Sequence, residues 1–166
     1  GGFEIYLNDP ALAEPLWNEL FKQGADLRVR AGGPNLIERI ESGLLSYGND
    51  MNFTHNPFEC GLDIYMDLDA DIDAMSLKAL RALRGKHVHQ LVGIVFDEAV
   101  EFDDFRVEAD GELVGDVRSQ VWSPRYNKFL TMVMMKRDFL ADNSSITIDG
   151  KLGTIVDLPF DFDNIA

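Results

Sequence analysis

The sequence has one cysteine, Cys60, in 166 residues. An intrachain disulfide is therefore excluded, and the usage fits a reducing compartment such as the cytoplasm. Positive charge is scarce: 15 Lys and Arg stand against 29 Asp and Glu, for a net charge of -14. That balance argues against nucleic acid or an anionic membrane surface as the main partner, and its plain consequence is solubility. No apolar run approaches the roughly 20 residues of a membrane-spanning helix. Histidine is rare, with only His55, His87 and His89. His87 and His89 alternate on a strand edge without a Cys or His cluster beside them, so they read as exposed or capping residues, not as metal ligands. A nucleophile elbow, a phosphate-binding glycine loop and a zinc pattern are all missing. There is no internal repeat and no low-complexity segment.

What is present is ordinary for a soluble globular protein: 46% hydrophobic and 27% charged residues. A chain of this length buries about 70% of its unfolded surface, enough for a real core. It opens at once on a strand pattern, Phe3, Ile5 and Leu7 alternating with Glu4 and Tyr6 over residues 2–7. The expectation is a piece excised from a longer protein. Such an exposed strand edge invites pairing, so a homodimer of the fragment is also expected.

Asp9 and Pro10 then mark a helix start, and Leu12, Leu16 and Leu20 beside Ala13, Trp17 and Phe21 give it an apolar face ending at Gly24. Residues 28–31 form a short extended link. The next helix carries Leu36, Ile37, Ile40, Leu44 and Leu45 on one stripe, with Pro34 in its first turn and Gly48 as its cap. Glu38, Arg39, Glu41 and Ser42 fall off that stripe. A loop through His55-Asn56-Pro57 leads to a strand around Leu62–Met66. Asp67, Asp69, Asp71 and Asp73 resemble the opening of a calcium loop, but Ile72 and Lys78 stand where that loop needs Gly and Glu. A solvated acidic loop before the short helix Ser76–Arg84 is the better reading.

After residue 87 the character changes. His89 to Phe96 is a nearly continuous apolar strand. Asp110-Gly111 and Asp149-Gly150 each close a hairpin, and Leu130 to Met135 is a further strand. Short strands with glycine turns suggest a small antiparallel barrel. The fold class expected is α+β: an α+β piece over 1–87 and a β-barrel over 88–166.

Three residues are candidates for a site. Glu4 either faces water or accepts two parallel N–H bonds from a planar amino-heterocycle. Tyr6 lies on the same side by the period of two, so the pair offers an acid and an aromatic wall. Trp122, in Trp122-Ser-Pro-Arg-Tyr126, is either a packed residue or part of a barrel loop closing over a site. Cys60, in apolar surroundings, reads as packed and inert.

Taken in order, several segments resemble one family. Gly2-Phe-Glu-Ile5, Arg39-Ile-Glu-Ser-Gly43, Tyr47-Gly48 and Pro57-Phe-Glu-Cys-Gly-Leu62 are similar to segments of the tetrahydrofolate-dependent aminomethyltransferases, the T-proteins of glycine cleavage. Leu91-Val-Gly-Ile-Val95, Asp110 to Ser119, Ser123-Pro124 and Leu158-Pro-Phe160 resemble their barrel domain. Two positions depart from the T-proteins: Asn35 stands where they carry Arg, and Ser76-Leu77 where they carry Gly-Lys. The run from Pro34 to Ser42, with Tyr47-Gly-Asn-Asp50 and Asn56 to Gly61, resembles a demethylase branch that moves a sulfonium methyl to tetrahydrofolate. The resemblance implies the C-terminal part of the folate-binding domain over 1–87 and the family's barrel over 88–166. It implies tetrahydrofolate as cofactor, with Glu4 on its pterin ring, and a small-molecule methyl donor lined by Tyr6; Trp122, on the barrel-loop reading, is the second candidate substrate-binding residue. It further implies an active-site Asp outside this chain, so the fragment alone is expected to be inactive. An aminomethyltransferase of glycine cleavage and a non-catalytic folate-binding protein of this fold are the alternatives.

Overall fold

In the computed structural model, which describes residues 3–29, 31–32 and 35–165, Phe3 to Leu7 is not a strand. A strand needs a neighbour for its N–H and C=O groups, and none of the described strands pairs with this segment. Gly2, Arg30 and Pro34, to which sequence reading gave roles, lie outside the described residues. The chain divides into two units, Gly1–Pro34 and Asn35–Ala166.

In the first unit, Asp9 is extended and its carboxylate accepts the Ala11 N–H at 2.9 Å. A 3-10 turn at Pro10–Leu12 leads into α1, Ala13–Gln23. The helix stops at Gly24, whose N–H reaches the Leu20 carbonyl at 2.9 Å. Its predicted apolar face exists, with the Trp17 and Phe21 rings 4.8 Å apart. That face is not buried, however: Leu12, Trp17 and Leu20 are all about half exposed.

The second unit begins with α2, Leu36–Glu41, which is much shorter than the helix expected to run to Gly48. Asn35 caps its start, and Ser42 ends it. Gly43, with φ 63°, takes the left-handed position that the sequence assigned to Gly48. Leu44 consequently leaves the stripe and is exposed, while Ile40 is fully buried. The expected strand at Leu62–Met66 is instead a 3-10 helix over Leu62–Tyr65. Gly61 turns left-handed there, the Leu62 N–H folds back onto the Pro57 carbonyl, and Ile64 and Tyr65 both point to solvent. The short α3 spans Leu77–Leu83; Leu77 packs with Phe58 and Leu68, but Leu83 faces outward.

Six antiparallel strands follow: β1 His89–Phe96, β2 Arg106–Ala109, β3 Glu112–Ser123, β4 Lys128–Lys136, β5 Ser145–Ile148 and β6 Lys151–Val156. Their order is β2-β3-β4-β1-β6-β5, and the two edge strands approach one another, so the sheet is a nearly closed barrel. Asp110-Gly111 and Asp149-Gly150 all have positive φ, the backbone of tight hairpin turns. Two short helices were not foreseen, α4 at Arg137–Asp142 and α5 at Phe162–Ile165.

Both faces of β1 and β4 are covered. Val92, Ile94, Phe96, Val117, Phe129, Val133 and Met135 pack together inside the barrel. Leu91, Val95, Leu130, Met132 and Met134 pack outward against Ile40, Cys60, Tyr126, Phe160 and Ile165. This double burial explains the apolar runs, since a strand covered on both sides loses its polar alternation. Gly93 is needed for that layer: an added Cβ would lie 2.5 Å from a Phe160 ring carbon. Among the described residues, no helix is long and apolar enough to cross a membrane.

Candidate functional site

In the first unit the two candidate residues meet. The Tyr6 hydroxyl donates to the Glu4 carboxylate. Both side chains are exposed. The two residues are separated by one position in the chain. Their contact raises the Tyr6 phenol above its usual range, because ionisation would lose this hydrogen bond and set two anions together. One carboxylate oxygen of Glu4 is engaged by Tyr6, which leaves acceptor capacity on the other.

The second unit holds a polar network that sequence reading missed. Asp50 has no exposed side-chain surface. Its carboxylate accepts the Ser46 N–H at 2.6 Å, Arg39 Nη1 at 2.5 Å and the Ser119 hydroxyl at 2.5 Å. Arg39 also donates to the Leu44 carbonyl at 3.1 Å and to Ser119 Oγ at 2.7 Å. Nearby, the Ser123 hydroxyl donates to buried Glu41 at 2.6 Å and accepts the Tyr126 N–H at 3.1 Å. Arg39 and Glu41 fall off the apolar stripe, yet they face strand β3. Helix α2 is thus held on the barrel by polar contacts as much as by Ile40. The signal available in sequence was the resemblance itself, which singled out Arg39-Ile-Glu and Arg118-Ser119 without a role for either.

His55 and His87 sit in loops, and His89 opens β1. His55 Nδ1 accepts the Asn52 N–H at 3.1 Å, a capping contact. Its Nε2 lies 3.3 Å from Arg118 Nη2. Burial and the Arg118 charge hold His55 below the ordinary histidine range. His89 Nδ1 is 3.4 Å from the carboxylate of buried Glu59. His87 stacks on Phe58 with ring centroids 5.9 Å apart, and burial lowers its pKa as well. Cys60 is buried, and burial raises its thiol, aided by the neighbouring Glu59 charge. No group of acids, histidines and cysteine among the described residues is arranged to hold a metal ion.

Trp122 lies in β3 itself, opposite Phe129, and not in a loop beyond the strand. It is partly exposed. A cleft of about 440 Å³ opens elsewhere in this unit, lined by Leu45, Cys60, Tyr65, Leu91 and Pro159 among others; Trp122 does not line it. Asn35, the position of the family's arginine, turns its side chain onto its own helix and accepts the Glu38 N–H at 2.8 Å.

Comparison with known proteins agrees with this architecture. Residues 1–70 match the GCVT N-terminal domain. The solved aminomethyltransferase T of the glycine cleavage system from Bartonella henselae superposes with a TM-score of 0.73, over 93% of this chain and 45% of that one. At 20% identity that likeness speaks for the fold alone. The chain is similar in sequence to the aminomethyltransferase, or glycine cleavage T-protein, family. It is 40% identical over 151 residues to the dimethylsulfoniopropionate demethylase DmdA of Ruegeria pomeroyi, covering 90% of this chain and 41% of that protein. It is 30% identical over 142 residues to an aminomethyltransferase of Clostridium botulinum (strain Okra / Type B1), covering 83% of this chain and 38% of that one. The chain therefore spans about two fifths of the length of these relatives.

Proposed function

We propose that this chain is part of a tetrahydrofolate-dependent methyltransferase that takes a methyl group from dimethylsulfoniopropionate. The observation that carries the reading is the 40% identity to DmdA over 151 residues. Asn35 supports it, since a helix cap replaces the arginine expected of a T-protein. Residues 1–87 then belong to the folate-binding domain and 88–166 to the C-terminal barrel. The whole protein works in the cytoplasm on a small-molecule donor.

A sulfonium methyl is already activated, because its leaving group departs as a neutral thioether. Tetrahydrofolate, when bound, supplies the nitrogen that accepts the methyl group. The protein's task is to hold donor and acceptor in contact and in line, which is where most of the rate gain for such a transfer originates. Glu4 fits the cofactor chemically: it is an exposed carboxylate with a free oxygen, suited to the paired N–H groups of a pterin edge. The Tyr6 hydroxyl fixes the other oxygen and orients the acid. The Tyr6 ring would offer aromatic surface to a sulfonium cation. The 30% identity to an aminomethyltransferase favours a second reading, in which the donor carries an aminomethyl group.

The test uses the complete protein that carries this chain, incubated with tetrahydrofolate and dimethylsulfoniopropionate. The expected product is 5-methyltetrahydrofolate, detected by mass spectrometry, and Glu4→Ala is expected to weaken folate binding. Folate binding without methyl transfer would sink the donor assignment and leave the family reading. Unchanged folate affinity in Glu4→Ala would remove Glu4 from the cofactor site.

A further inference from the structure

Arg39, which faces β3, and Arg118, which belongs to it, are treated differently by their surroundings. Arg39 finds three acceptors, as described above. Arg118 does not. In the ladder between β3 and β4, Val117 pairs with Val133 and Ser119 with Met132, which leaves Arg118 as the extra residue of a β-bulge. Bulges re-aim a side chain and recur beside functional sites. Here the bulge sends Arg118 toward the loop that carries His55.

The Arg118 Nε is buried and has no hydrogen-bond partner among the described residues. Its Nη2 is 3.8 Å from the Asp116 carboxylate, beyond hydrogen-bonding range, and Asp116 is itself half exposed. The remaining close contact is His55 Nε2 at 3.3 Å. A neutral imidazole has one donor and one acceptor nitrogen. Because Nδ1 accepts the Asn52 N–H, the ring proton belongs on Nε2. Two donors therefore face each other with no acceptor between them. Arg118 Nε is a buried donor left unpaired among the described residues, which is costly, and the arrangement calls for an acceptor beside the guanidinium and the imidazole.

The geometry points to a carboxylate-binding site formed by Arg118 and His55 at the β3 bulge. One carboxylate oxygen placed between Arg118 Nη2 and His55 Nε2 accepts from both, and the fork of the guanidinium suits the second oxygen. A small-molecule monoanion fits better than a phosphate dianion. Asp116 and Glu59 already place negative charge near the pair. Nothing in this inference depends on which methyl donor the protein uses.

The experiment is an NMR titration of the 166-residue chain with sodium propionate, at ionic strength held constant with sodium chloride. The Arg118 Nε–H and His55 ring signals are expected to move together and saturate, and the His55 pKa is expected to rise when the site is filled. Arg118→Lys keeps the charge but not the fork, and is expected to bind about tenfold more weakly. Arg118→Met is expected to abolish the His55 response. Linear, non-saturating shifts in the parent chain would overturn the proposal, whether or not the variants fold. Equal responses in parent and Arg118→Met would also overturn it. Tighter saturation by inorganic phosphate than by propionate would overturn the ligand class.

Discussion

Ser119 donates its hydroxyl to Asp50 at 2.5 Å, joining residues 69 positions apart in sequence. Asp50 has no exposed surface and Arg39, its ion-pair partner, keeps only 14%. Removing one partner of such a pair leaves the other buried and uncompensated. Asp50→Ala is therefore expected to destabilise the fold by about 3–5 kcal/mol, read from the urea denaturation midpoint. Arg39→Met alone should also be costly, but the double variant should cost clearly less than the sum. Strict additivity would show that the two charges do not depend on each other.

A second prediction concerns space. Alanine at position 93 would put its Cβ 2.5 Å from Phe160 Cε1 and 2.8 Å from Val156 Cγ2. Both are core side chains that cannot swing into solvent. Gly93→Ala is expected to lower stability by about 1–3 kcal/mol through overpacking. Pairing it with Phe160→Leu should recover part of that loss. A thermal melt of Gly93→Ala matching the parent would mean that the layer yields more easily than its packing implies.

Cys60 offers a chemical readout of the same layer. Burial raises its thiol, and the reactive species is the thiolate. Reaction with a disulfide reagent near neutral pH is expected to be slow in the folded chain and to speed up sharply in urea. Cys60→Ser should be destabilising, since it puts a hydroxyl among apolar neighbours, while Cys60→Ala leaves a smaller defect. Fast labelling of the folded chain would contradict a packed thiol.

The barrel was legible because its signals are local. An Asp-Gly pair between two extended runs specifies a turn with positive φ, and both such turns occur. His89 to Phe96 read as a buried strand because both of its faces are covered. The α2 region was misread because two glycines with positive φ, Gly43 and Gly48, could each end the helix, and the nearer, Gly43, follows its last turn. The Asp50 network was out of reach for a different reason. Polar residues default to the surface, and only the fold brings Arg39, Asp50 and Ser119 together. Glu4 and Tyr6 were placed side by side by the period of two; they are in contact, although the strand it was drawn from is not formed.

The last prediction follows from the histidines. His55 and His87 both have folded-state pKa values below the ordinary value of about 6.5, because burial penalises the charged ring. The unfolded chain then binds more protons than the folded one between the lowered values and about 6.5, so stability rises with pH across that window. Above it the two rings add no pH dependence, and below the folded-state values the loss is complete. Arg118 opposes protonation of His55, and Glu59 partly favours it. Arg137 opposes protonation of His87. Denaturation midpoints are thus expected to fall as pH drops from 7 toward 5. His55→Gln should flatten this profile, and His55→Gln with His87→Asn should flatten it further. A profile unchanged by the double variant would assign the acid sensitivity to the carboxylates and not to these two rings.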